Sequence, residues 1–143
     1  MSEATALREA ARLFNAAEYH EAHEVLDELW EGTHGPESDF YKGLIQAAIC
    51  MYHFSRGNLD GARKLYRGHR RYLAGYLPRY RGLDVEGCLA QMQRCLQPVL
   101  RAAPDAAVPF VYDERPRLSL EDAPDGSDGS GGASVSDGLR KTR

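Results

Sequence analysis

The sequence predicts an all-α protein: a compact bundle of about five helices built from antiparallel helical hairpins, followed by a disordered C-terminal tail. Three observations lead there. Apolar residues recur three and four apart along residues 2–103, the spacing of one helix face. No stretch longer than a few residues alternates apolar and polar as a half-buried strand does. From Asp113 the chain becomes charged and then Gly/Ser/Asp-rich (DGSDGSGGASVSDG), and such a composition buries too little to offset the entropy of ordering it. The helical domain is therefore expected over residues 1–112 and the disordered tail over 113–143.

Each element has its own signal. Ser2 is placed to cap a first helix, with Leu7, Ala10, Ala11 and Phe14 on one face. Asn15-Ala16-Ala17-Glu18 breaks it. A second helix spans about Tyr19 to Glu31, with Tyr19, Ala22, Leu26, Leu29 and Trp30 as its apolar stripe, and Gly32-Thr33-His34-Gly35-Pro36 stops it. The third runs from about Ser38 to Gly57. Its centre, LIQAAICMYHF, is apolar nearly all round, the mark of a buried helix. Gly57-Asn58 turns the chain into a fourth helix, about Leu59 to Tyr76. Gly82-Leu83-Asp84 leads to a fifth, Val85 to about Ala103, with Pro98 placed to kink it. Val108 to Tyr112 is apolar enough to lie extended on the core. Phe14, Ala17, Tyr19, Ala22 and Val25 are echoed forty residues later by Phe54, Gly57, Leu59, Ala62 and Leu65, the pattern of two similar helical hairpins.

Composition narrows the function. The 143 residues fit one domain, and no apolar run approaches the ~20 needed to cross a bilayer. Met1-Ser2-Glu3-Ala4 lacks the basic and apolar segments of a secretory leader, so a cytoplasmic protein without a membrane role is expected. Three cysteines, Cys50, Cys88 and Cys95, are an odd number without a CxxC pair, which argues for reduced thiols over a disulfide framework or a zinc-thiolate site. Charge is segregated: residues 13–41 hold eight acids and no Lys or Arg, whereas residues 62–82 hold seven bases and no acid. The two stretches face each other or face different partners.

The densest polar constellation is YHEAHEVLDELW, Tyr19 to Trp30. On a helix His20 meets His23 and Glu24, and Glu24 meets Glu28. His23 falls within the apolar stripe and is expected to point inward. Gln46, Cys50 and His53 share one face of the third helix. If that face meets the second helix, His23, Glu24, Glu28, Gln46 and His53 converge in a buried polar pocket, either a satisfied network fixing helix register or a ligand site. Imidazoles and carboxylates are also divalent-metal ligands, and His23, Glu24 and His53 are the candidate set, although Asp27 stands where an HExxH motif needs its second histidine. No nucleophile motif or phosphate loop is visible, so no reaction is assigned. Arg63, Arg67, Arg70 and Arg71, interleaved with tyrosines, are the candidate nucleic-acid contacts, though a net charge of −3 disfavours that partner. Self-association stays open.

The runs FNAAEYHEAHEVLDELWEG and FYKGLIQAAICMYHFSRGNLDGARKLY resemble the domain of unknown function 309 family of bacteria and archaea. The likeness rests on Phe14-Asn15, Tyr19, Ala22-His23-Glu24, Glu28, Trp30, Gly43-Leu44-Ile45-Gln46, Tyr52-His53, Gly57-Asn58 and Gly61-Ala62, within Phe14 to Leu73. The resemblance implies a compact helical bundle and supplies no activity. It singles out His23, Glu24, Glu28, Trp30, Gln46, His53 and Asn58 as motif positions. Ala17 departs from a glycine common in the family, which implies a less strained turn there. The function expected is that of a small binding or interaction module with a buried His/Glu/Gln cluster. The alternatives are a metal-binding protein or metal-dependent hydrolase using the same cluster, and nucleic-acid binding through the fourth helix.

Overall fold

A computed structural model describes residues 2–121 of the chain. Five helices form the bundle: α1 (Glu3–Asn15), α2 (Tyr19–Glu31), α3 (Glu37–Ser55), α4 (Leu59–Leu73) and α5 (Val85–Arg101). Their starts follow local chemistry. The Ser2 hydroxyl accepts the Thr5 amide at 3.1 Å, the Asn58 side-chain oxygen that of Gly61 at 3.0 Å, and the Asp84 carboxylate that of Gly87 at 2.9 Å. Each pairs one of the amides that a helix start leaves without an intrahelical acceptor. At the start of α2, Glu18 stands in the capping position but makes no side-chain capping bond. α5 runs through Pro98 to Arg101.

α3 is the hub. Ten of its residues are buried, among them Phe40, Tyr41, Leu44, Met51 and Phe54, and it packs against both α2 and α4. On one side the Lys42 ammonium lies 4.7 Å from the centre of the Trp30 ring, and the Tyr52 ring is 6.0 Å from His20. On the other, Gly43 adjoins Leu73, Gln46 adjoins Gly68 and His53 adjoins Gly61. Partner numbers rise along one helix as they fall along the other, so both neighbours run antiparallel to α3. Small residues let α4 come close: an added Cβ at Gly61 would lie 2.8 Å from the His53 ring, and one at Gly68 only 1.7 Å from Gln46 Oε1.

Two features depart from the expectations. Helix α4 ends at Leu73 rather than near Tyr76. A 3₁₀ turn (Ala74–Tyr76) then leads to a hairpin of β1 (Arg79–Tyr80) and β2 (Leu83–Asp84). Arg81 and Gly82, both at positive φ (52° and 80°), form its two-residue turn. Two-residue strands are too short for alternation to register in a sequence.

The second departure corrects the tail boundary. Residues 113–121 are not a solvated tail but a strap on the bundle. Leu118 is 5% exposed and Pro116 is buried. Asn15 holds the strap as a backbone would: its amide nitrogen donates to Leu118 O at 2.9 Å and its oxygen accepts Leu118 N at 2.7 Å. Arg115 donates to Asn15 O at 2.7 Å. Asp84 N to Ser119 O (2.9 Å) and Glu121 N to Gly82 O (2.8 Å) add the strap to the β2 edge, with Leu83 bridged to Leu120. Composition does not register such pairings, because they are made to residues distant in the chain, about 35 to 100 positions away. The expected disorder beyond Glu121 lies outside the described residues.

Candidate functional site

The face shared by Gln46, Cys50 and His53 exists as the spacing requires, but it addresses α4, not α2. Gln46 packs on Gly68. The Cys50 thiol donates to the Ala62 carbonyl at 3.2 Å. His53 lies against Gly61, and its Nδ1 is 3.3 Å from the Asn58 amide nitrogen, which donates to it. All three side chains thus serve the α3–α4 contact. The sequence carried a signal for this in Gly61, Ala62 and Gly68, small residues at spacings of one and six that open α4 to the polar stripe of its neighbour.

The buried pocket between α2 and α3 is accordingly corrected. Glu24 and Glu28 are exposed on the outer face of α2, His23 and Trp30 are half-buried, and Asn58 is exposed at the start of α4. His23 stacks edge-on with His20, ring centres 5.7 Å apart, and His20 Nδ1 is 3.9 Å from Glu24. Trp30 lies under the Lys42 ammonium. The metal set His23, Glu24 and His53 is not assembled either. Among the described residues no three His, Cys, Asp or Glu side chains are grouped to hold an ion. The physical reason is rotation of α3: its polar stripe turns towards the small residues of α4, which leaves Lys42 and Tyr52 beside α2.

The four arginines divide into two pairs. Arg63 is structural: it donates to Val99 O at 3.2 Å and to Asp60 at 2.7 Å, and only 15% of its side chain is exposed. Arg70 donates to Leu89 O at 3.2 Å and lies over the Tyr66 ring. Both tie α4 to α5. Arg67 and Arg71 are exposed, as is Lys64. These three side chains, with Gln46, Leu65 and Gly68, line a cleft of about 300 Å³. Lys64 and Gly68 were not singled out from the sequence.

The acidic and basic stretches do not zip together. Arg81 joins them through Glu37 and also reaches Glu3 at 3.9 Å. The acids of α2 and the bases of α4 lie on helices that flank α3 from different sides, and among the described residues no ion pair links them.

One buried titratable residue escaped the sequence reading. His69 is fully buried on α4. Its Nδ1 donates to the Tyr66 carbonyl, which leaves Nε2 buried with no partner. Burial pushes its imidazole down to about 4, so the ring is neutral near pH 7. Burial also raises the thiols, Cys95 to about 11 and Cys88 to about 12, and keeps them protonated.

Comparison with known proteins agrees with the motif reading. Residues 7–65 match the family described as Domain of unknown function (DUF309). An uncharacterised protein of Aquifex aeolicus (strain VF5) is 30% identical over 95 residues, which is 66% of this chain and 28% of that protein. The uncharacterised protein YpuF of Bacillus subtilis (strain 168) is 37% identical over 57 residues, 39% of this chain and 33% of its own length. The chain thus spans a third or less of the curated relatives it matches, and neither brings an assigned activity. Residues 7–65, which cover most of the two hairpins, are thus similar to the domain of unknown function 309 family.

Proposed function

We propose that the protein is a small helical interaction module whose outer α2 face receives a cationic segment of a partner. One observation carries this reading: α2 presents Glu21, Glu24, Glu28 and Glu31 as an exposed acidic ridge that the fold does not use. The buried residues of α2 are Tyr19, Ala22 and Leu26, and no basic residue stands in its last turn. Glu28 and Glu31 sit where the helix dipole favours cations, and acids three and four apart repel by about 0.2–0.5 kcal/mol per pair. A helix that opposes its own electrostatics in this way is suited to an incoming positive charge. Beside the ridge, the Lys42 ammonium over Trp30 shows the kind of cation–aromatic contact an incoming Lys or Arg can extend. Three free cysteines favour a reducing compartment, the cytoplasm.

The test is titration of the full chain with a synthetic Lys/Arg-rich peptide, followed by calorimetry. Glu24→Gln combined with Glu28→Gln is expected to weaken binding by about tenfold, roughly 1.4 kcal/mol. Glu86→Gln, an exposed acid on α5, is expected to leave it unchanged. Equal losses from both substitutions would reduce the effect to net charge and end this reading.

A further inference from the structure

The geometry points to a binding site for a phosphoryl group in the cleft on the free side of α4, a surface separate from the acidic face of α2. Lys64, Arg67 and Arg71 recur at spacings of three and four, so they stand on one helix face. All three are exposed, and among the described residues none is paired with a carboxylate. Their neighbours on the same helix behave otherwise: Arg63 and Arg70 are committed to α5 carbonyls. The fold thus spends two arginines on packing and leaves three cations around a concavity of about 300 Å³.

The floor of the cleft is built rather than incidental. Gln46 reaches it from α3 and presses its carbonyl oxygen against Gly68. An added Cβ there would lie 1.7 Å from Oε1 but 3.5 Å from Nε2, so the NH₂ end stands farther from that position. A glycine at 68 is what allows a polar amide to sit flat against the helix at this depth. The site then offers two planar guanidinium forks and an ammonium beside the Gln46 side chain. Guanidinium forks match the oxygen spacing of phosphoryl groups bidentately, and the Arg71 guanidinium is steadied over the Tyr72 ring at 5.4 Å.

The footprint favours a small ligand over a nucleic-acid strand. Lys64 to Arg71 spans about 10 Å of helix, room for one or two phosphoryl groups. A long polyanion would also meet the net charge of −3 carried by the whole chain. The ligand class is therefore a small phosphorylated molecule.

Titration of the full chain with pyrophosphate, with a nucleoside monophosphate and with a short single-stranded DNA, read by amide NMR shifts at physiological salt, tests the site. Saturable pyrophosphate or nucleotide binding is expected, with the largest shifts at the Gln46 side chain and the Gly68 amide. Arg67→Ala combined with Arg71→Ala is expected to weaken it at least about tenfold, and Arg67→Lys, which keeps the charge but loses the fork, by an intermediate factor. Arg8→Ala on α1 is the control. Shifts that do not saturate by about 10 mM, or an equal loss with Arg8→Ala, would overturn the proposal. DNA binding that is far tighter than pyrophosphate and falls steeply with salt would replace it with a nucleic-acid surface.

Discussion

The α1–α2 and α3–α4 hairpins turn on the same pair of backbone hydrogen bonds. In the first, Ala17 N reaches Phe14 O and Glu18 N reaches Leu13 O, both at 2.9 Å. In the second, Gly57 N reaches Phe54 O at 3.0 Å and Asn58 N reaches His53 O at 2.8 Å. Both are left-handed helix ends of the Schellman type, with φ of 63° at Ala17 and 81° at Gly57. Ala22 and Ala62, each fully buried, occupy equivalent places beyond the turn. The backbone plan is shared, while the side chains that complete it differ. The second hairpin has glycine at the turn, a capping asparagine and a polar stripe against small residues. The first has an alanine at positive φ, an uncapped helix start and an asparagine, Asn15, committed to the strap. The turn at Ala17 is therefore not the less strained one that the departure from glycine implied. It holds the same conformation with a residue that dislikes it.

His69 offers the largest test of this contrast. The forty-residue offset pairs it with Leu29, an apolar residue packed against the core. The folded state holds the His69 imidazole near 4, below the ~6.5 of an unfolded chain. The unfolded state then binds the extra proton first as pH falls. Stability from this residue is complete above about pH 6.5 and declines towards pH 4, by up to roughly 3 kcal/mol. His69→Leu is expected to flatten that part of the pH–stability curve in urea unfolding. An unchanged slope between pH 6.5 and 4 would mean that other groups carry it.

Asn15 and Ser55 come next. Asn15→Ala removes both hydrogen bonds to Leu118 and leaves the strap's peptide group unpaired, at about 1–3 kcal/mol. Ser55, its counterpart, is exposed and donates only to Tyr52 O, so Ser55→Ala is expected within about 0.5 kcal/mol of wild type. Thermal melts of the two variants side by side decide it; similar losses would mean that the strap does not depend on Asn15.

The smallest effects concern the turns. Ala17→Gly is expected to stabilise by up to about 1 kcal/mol and Gly57→Ala to destabilise by a similar amount, since the preference is set by φ alone. No atom lies within 4 Å of a Cβ added at Gly57, so collision does not enter. Denaturant midpoints of the two variants should move in opposite directions, and a shift of the same sign would break the equivalence of the turns.

The helices, their order and both turns were legible because helix periodicity and punctuation are local. Tyr19, Ala22 and Leu26 mark the buried face of α2, and Asn58 and Asp84 announce the starts of α4 and α5. The echo between the hairpins was visible for the same reason. The candidate site was legible only as sets of residues. Spacing put Gln46, Cys50 and His53 on one face, but spacing is blind to how a helix is rotated about its axis.

That rotation was decided by tertiary packing. Gly61, Ala62 and Gly68 let α4 approach closely, and the polar stripe of α3 turned to them. Packing also sorted Arg63 and Arg70 from Arg67 and Arg71, which identical side chains on one helix do not reveal. It recruited residues 113–121 as a strap through hydrogen bonds to α1 and the β2 edge. The sequence alone determined where the chain becomes helical and where it reverses. Which faces meet depended on close packing between segments distant along the chain, and no local pattern encodes that.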